Sequence, residues 1–147
     1  MNKVTIKVVN TGNQELPKYQ TLQSAGMDLR ADIAEAIELK PLERKLIPTG
    51  LHIQLPDGYE AQVRPRSGLA LKRGITVLNT PGTVDGDFTG NVGVVLINLS
   101  NAPFVITPAE RIAQLVISPV VQAELVEVKE LEETERGDGG FGHTGVK

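Results

Sequence analysis

Cysteine and tryptophan are absent from this chain of 147 residues, and aromatic residues of all kinds make up only 3% of it. Without thiols there is neither a disulfide framework nor a thiolate metal centre, and two histidines are too few for a histidine-based zinc site. Any metal is therefore expected among oxygens. No apolar run approaches the ~18 residues of a membrane-spanning helix. The opening MNKVTIKVV also lacks the basic region and following apolar stretch of an export signal, so a cytoplasmic protein without membrane contact is expected. Positive charge is not in excess either. A net charge of −3 disfavours general affinity for a nucleic-acid backbone, which needs clustered Lys and Arg, but a few placed arginines suffice for a free nucleotide.

What is present fits one domain. A chain of this length at 40% hydrophobic residues buries about two-thirds of its unfolded surface. Val4, Ile6 and Val8 alternate with polar residues, as do Leu51, Ile53 and Leu55, predicting two half-buried strands. Further strands are expected at Met27–Ala31, Ala36–Leu39, Glu43–Pro48, Tyr59–Arg64, Ile75–Leu78, Asn91–Leu99, Phe104–Thr107, Arg111–Ser118 and Glu124–Val128. The single helix expected is Ser67–Arg73, stopped by Gly74. Many short strands separated by turns predict an all-β sandwich or barrel. The acidic run Glu130–Glu135 is expected to carry the chain away from a body spanning residues 1–129, leaving 130–147 as a flexible arm.

Two strands, NVGVVLINL and RIAQLVI, are apolar on both faces, which an isolated sandwich does not require and an oligomer core explains. Gln114 shares a face there with Ile112 and Val116 and needs a partner, which backbone, a neighbouring subunit or a ligand can each supply. In SAGMDLR, Asp28 stands in a strand, a place poor in aspartate. In RPRSGLALK, Ser67 can cap a helix whose free N–H groups, with Arg66 beside them, also suit an anion. In Asn79–Gly93, NTPGTVDGDFTGNVG, an Asp-Gly pair predicts a hairpin. Asp85, Asp87 and Phe88 exceed what a tight turn needs: a carboxylate can orient or deprotonate a water, and a ring can pack on a sugar.

Glycine is concentrated at the end, where five of fifteen fall in the last eleven residues. A disordered terminus is one reading of that composition. Arg136 and Phe141 set among glycines favour another, a lid whose guanidinium, open backbone N–H groups and aromatic face suit a phosphate chain and a base.

The ordered set AGMDLRA, PRSGLALK, GTVDGDFTGNVGV, RIAQLVI and RGDGGFGHTG resembles the five motifs of the trimeric deoxyuridine triphosphate nucleotidohydrolases, or dUTPases, across residues 24–145. The resemblance implies a jelly-roll-like, β-clip subunit and a homotrimer with active sites at subunit interfaces. It also implies Mg²⁺-dependent hydrolysis of dUTP to dUMP and pyrophosphate, which limits uracil incorporation into DNA and supplies dUMP for thymidylate synthesis. By that resemblance Asp85 activates water and meets the deoxyribose 3′-hydroxyl, and Asp28 acts on magnesium through bound waters. Arg66, Ser67, Gly68 and Gln114 match phosphate-contacting positions, with Ser67 and Gln114 counted among the catalytic set. Asn79, Gly82, Val84 and Gly93 belong to the stretch similar to the uracil pocket, where backbone groups copy the pairing edge of a base. Phe88 takes the place of the usual tyrosine beneath the sugar. In the tail, Arg136 matches a γ-phosphate contact and Phe141 the ring that stacks on uracil, while Gly139 and Gly142 allow close backbone approach.

Two positions depart from the pattern. His143 stands where the family commonly has serine, and is expected still to donate to phosphate. Gly86, after Asp85, is also unusual. The related dCTP deaminases share the architecture, but no glutamate suited to their chemistry lies near RPRSGLALK. A non-catalytic nucleotide sensor or structural jelly roll is the other reading, and with Asp28, Asp85, Arg66, Ser67 and Gln114 all present no catalytic group is missing to support it.

Overall fold

The computed structural model describes all 147 residues. Ten strands and one helix follow in order: β1 Lys7–Asn10, β2 Gly26–Arg30, β3 Ile37–Leu39, β4 Arg44–Gln54, β5 Tyr59–Arg64, α1 Ser67–Arg73, β6 Ile75–Val77, β7 Gly82–Val84, β8 Asn91–Asn98, β9 Phe104–Ile106 and β10 Arg111–Pro119. All pairings are antiparallel. They form two four-stranded sheets, β1-β4-β8-β6 and β2-β10-β5-β7, with a β3-β9 ribbon beside them. The architecture is thus the mostly β, jelly-roll-like one expected, with one short helix.

Period-two alternation builds the core. Ile47, Leu51 and Ile53 of β4, Val92, Val94 and Leu96 of β8, and Ile75 and Val77 of β6 meet Leu29, Ala61, Val63, Ile112, Ala113 and Leu115 from the other sheet in one buried cluster. Ile112 and Ala113 are both buried because the β10–β2 register shifts between Arg111 and Ala113. Such a bulge places consecutive residues on the core side.

Asn98, with no exposed surface, is the polar anchor of this core. Its Nδ2 donates to the carbonyls of Leu39 and Ala102, and its Oδ1 accepts from the amide and hydroxyl of Ser100. Asn98→Ala leaves those groups unpaired in the interior and is expected to cost roughly 3 kcal/mol. Thermal unfolding at fixed protein concentration should show a midpoint lower by on the order of 10 °C. An unchanged midpoint would mean that water replaces the amide there.

Four expectations are corrected. The N-terminal strand is later than its alternation predicts: pairing begins at Lys7, Val8 is exposed, and only Val4 and Ile6 are partly buried. The two strands Glu43–Pro48 and Leu51–Leu55 are one, because Gly50 at φ 75° takes up the bend without ending the strand. A Cβ at Gly50 would lie 2.7 Å from Gly12, so only glycine fits this crossing. The Asn79–Gly93 stretch is not a hairpin of paired strands. Its Asp-Gly turn is real, with Phe88 N–H donating to the Asp85 carbonyl at 3.1 Å, but β7 pairs with β5 and β8 with β4 and β6, so the loop crosses between sheets. Glu124–Val128 forms no strand. Residues 121–138 are exposed and without regular structure, and they pair with no strand.

Candidate active site

The predicted residues fall into three groups. The first gathers where β2, β10 and β5 run side by side, since Gln114 is opposite both Asp28 and Arg64. The Asp28 carboxylate lies between two guanidiniums, 3.1 Å from Arg66 Nε and 3.4 Å from Arg111 Nη1. Arg66 Nη1 also donates to the Arg111 carbonyl at 3.4 Å. Gln114 Nε2 donates to the Pro65 carbonyl at 3.0 Å, so backbone is one partner of this amide. Its Oε1 lies against Gly26, where a Cβ would collide with it. A side chain at residue 26 would therefore displace Gln114.

Ser67 is not the helix cap. The N-cap is Arg66, extended at φ −90° and ψ 129°, with no side-chain capping bond. Pro65 precedes it, and the helix begins at Ser67 itself, one residue earlier than a serine cap requires. The Ser67 hydroxyl thus stands exposed in the first turn with no protein hydrogen bond, and nothing lies within 4 Å of a Cβ built at Gly68. Both are open to a ligand. The sequence reading missed Arg111. Its signal was an arginine opening an otherwise apolar strand, which only the pairing with β2 turns into a contact to Asp28.

The second group is the 79–93 loop. Gly82 and Val84 are buried in β7, and the Asn79 amide lies over Gly82, where a Cβ would be 3.3 Å from Nδ2. Asp85 follows directly, exposed on an open groove rimmed by Asp57, Glu60 and Asp87. Phe88 folds back over Gly90, where a Cβ would sit 2.6 Å from its ring. Gly93 belongs to β8, opposite Pro48 and beneath the Leu46 side chain.

These two groups do not meet within one subunit. Three strand steps separate β2 from β7, and Val84 pairs with Ala61, well along β5 from Arg64. At ~4.8 Å per strand and ~3.3 Å per residue, Asp28 and Asp85 are on the order of 20 Å apart. The loop end is acidic and the β2-β10-β5 end carries the arginines, so an anionic chain is drawn to the latter.

The third group is the tail. Arg136 Nε donates to the Gly139 carbonyl at 2.8 Å, and His143 packs on Gly139, where a Cβ would be 2.6 Å from Nδ1. Phe141 is fully exposed at φ 45°. Gly142 takes a positive φ of 89°, and its carbonyl accepts from the Gly145 amide. No hydrogen bond joins these residues to either of the other groups.

A model of the family described as dUTPase matches residues 12–145. The chain belongs to the dUTPase family. The deoxyuridine 5′-triphosphate nucleotidohydrolase of Fusobacterium nucleatum is 60% identical over 145 residues, covering 99% of both chains. That of Chlamydia pneumoniae is 61% identical over 133 residues, covering 90% of this chain and 92% of the other. A Staphylococcus bacteriophage 80alpha dUTPase solved with dUpNHpp superposes with a TM-score of 0.88 at 28% identity, over 98% of this chain and all of that one. For a dUTPase, the separation of loop and arginine cluster within one subunit is the notable feature of the site.

No set of three histidine or carboxylate side chains comes close enough to cage a metal. Magnesium keeps most of its waters and is held through substrate phosphates and one or two carboxylates, so a single carboxylate suffices for it. Asp28 retains lone pairs beyond those its two arginines use, and so can accept from such waters. No helix is long and apolar enough to cross a membrane.

Proposed function

We propose that this dUTPase hydrolyses dUTP to dUMP and pyrophosphate at a composite site, in which the 79–93 loop of one subunit faces the Asp28–Arg66–Ser67–Gln114 cluster of another in a homotrimer. The observation that carries this reading is the ~20 Å separation of the two groups in a single chain. Base and sugar at the loop, with phosphates at the arginines of the same subunit, would span too far for one nucleotide. A closed assembly removes the difficulty, and three copies give three equivalent sites.

The division of labour follows from donor chemistry. Backbone groups of Gly82, Val84 and Gly93, with Asn79 beside them, hold the uracil edge in fixed register. Cytosine then meets a donor with its own amino group, at a cost of roughly 1–3 kcal/mol per unmet group. Phe88 packs under the deoxyribose, where a ribose 2′-hydroxyl would crowd the ring. Arg66, Ser67, the Gly68 amide and Gln114 take phosphate oxygens. The Asp85 carboxylate orients a water and accepts its proton as the water oxygen bonds to the α-phosphorus. The bond from that phosphorus to the α,β-bridging oxygen breaks, and pyrophosphate leaves with both electrons of the bond. Asp28 would hold the waters of a magnesium ion bound to the triphosphate, and that ion would supply neutralisation of the phosphate charge. Residues 130–147 form an arm that closes over this site, Arg136 and His143 on the terminal phosphate, Phe141 on the base, Gly139 and Gly142 allowing the backbone to approach.

Pyrophosphate release with magnesium, measured on dUTP, dCTP, dTTP and UTP, tests the reading. Preference for dUTP of at least about 10²-fold over each competitor is expected. A folded protein that releases pyrophosphate from none of them would mean that the motifs hold a nucleotide without turning it over.

A further inference from the structure

The 85–90 turn, which carries both Asp85 and Phe88, crosses between the two sheets with little to hold it. Its one internal bond is Phe88 N–H to the Asp85 carbonyl. Two bonds tie it to β4 and the residue that follows: a long one from the Leu55 amide, just past the strand, to the Gly86 carbonyl at 3.4 Å, and a shorter one from the His52 ring on β4, whose Nδ1 is 2.9 Å from the Thr89 carbonyl. His52 is half-buried on β4 directly opposite Asn91 on one side and Val9 on the other. Its second nitrogen, Nε2, lies 3.4 Å from Thr11 Oγ1. Thr11 is in turn tied to β4 by its amide and hydroxyl, which both donate to the Gly50 carbonyl.

We infer that His52 is a positioning residue for the hydrolysis, pinning the turn so that Asp85 and Phe88 hold their aim. The inference rests on the role proposed above for that turn. A carbonyl can only accept, so Nδ1 carries the hydrogen and the ring is fixed in one orientation. Gly86 and Gly90, on either side of the pinned segment, give the turn extra freedom, which makes a side-chain tether more consequential there than in a stiffer loop. The phosphate-binding residues lie on other strands and do not depend on this bond. Loosening the turn should therefore degrade alignment of the attacking water more than ground-state binding, and small misplacements of a reacting group are costly.

The test compares three substitutions in the full chain. His52→Ala should lower kcat about tenfold while KM for dUTP stays within about threefold. His52→Asn places an amide donor where Nδ1 was and should recover most of the loss, whereas His52→Gln places its amide nearer the Nε2 position and should not. Wild-type kcat in His52→Ala, or equal behaviour of the Asn and Gln enzymes, overturns the inference. If the wild type does not hydrolyse dUTP, the proposed function fails, but the tether is still read by hydrogen exchange. His52→Ala should speed exchange of the Phe88 amide at least about tenfold with core-strand amides unchanged, and an unaltered Phe88 amide would overturn it.

Discussion

Asp85→Asn should turn over dUTP roughly 10³-fold more slowly than the wild type while binding it within about threefold. The substitution keeps the size and shape of the side chain and removes its negative charge and its capacity to take a proton. Asp85 is exposed, and its side chain makes no hydrogen bond or ion pair within the subunit, so the fold has nothing to lose. The surrounding groove is acidic, with Asp57, Glu60 and Asp87 on its rim, and removing one charge should if anything ease approach of the nucleotide. Binding by calorimetry and turnover by pyrophosphate release separate the two effects. Retained turnover would transfer the base function to another group, with Asp87, two residues on, the next to substitute. Weakened binding with proportionate loss of kcat/KM would instead make Asp85 a contact to the sugar alone.

Local chemistry was what the sequence made legible. The helix Ser67–Arg73 is found with the predicted bounds, because Pro65 before it and Gly74 after it act through φ alone; Gly74 closes the helix in the left-handed region at φ 66°. Alternation located most strands. It misplaced the first, since an edge strand can keep its apolar side chains exposed, and it invented one at Glu124–Val128, where alternation exists without a partner in the subunit. The hairpin signal around Asp85 predicted a turn correctly and its pairing wrongly, because Asp-Gly reports the bend and not which strand lies alongside. Gln114 was recognised as needing a partner, yet only register could supply Pro65. Arg111 and His52 were invisible for the same reason: each acts on a residue far away in sequence, Asp28 and Thr89, brought alongside by strand pairing or by a loop that crosses between sheets. The five motifs supplied the assignment that periodicity could not, because they record residue types at fixed spacing rather than the pairing of strands.

Ending the chain at Glu135 should lower kcat/KM for dUTP by about 10²-fold without lowering the thermal midpoint. The stability half of that expectation follows from the fold. The last hydrogen bond from the C-terminal segment to the body is that of the Val120 amide to the Gly58 carbonyl, and everything from Arg136 onward bonds only to its own neighbours. Removing residues that bury nothing within the subunit leaves its core intact. The activity half is set by what the tail can offer a bound nucleotide. A charge-assisted bond from Arg136 to phosphate contributes about 1.5–3 kcal/mol, and stacking of Phe141 on a base about 1–3 kcal/mol. Against this stands the entropy of ordering a glycine-rich segment, which offsets a large part of the gain. A net of about 2.7 kcal/mol corresponds to the 10²-fold stated. Phe141→Ala in the full chain should reproduce part of the truncation's loss, chiefly in KM, since a stacked ring binds ground and transition states alike. Arg136→Ala should act more on kcat, because charge on the departing pyrophosphate grows as the bond breaks. A truncated enzyme with wild-type kcat/KM would show that the glycines, the arginine and the phenylalanine serve no lid.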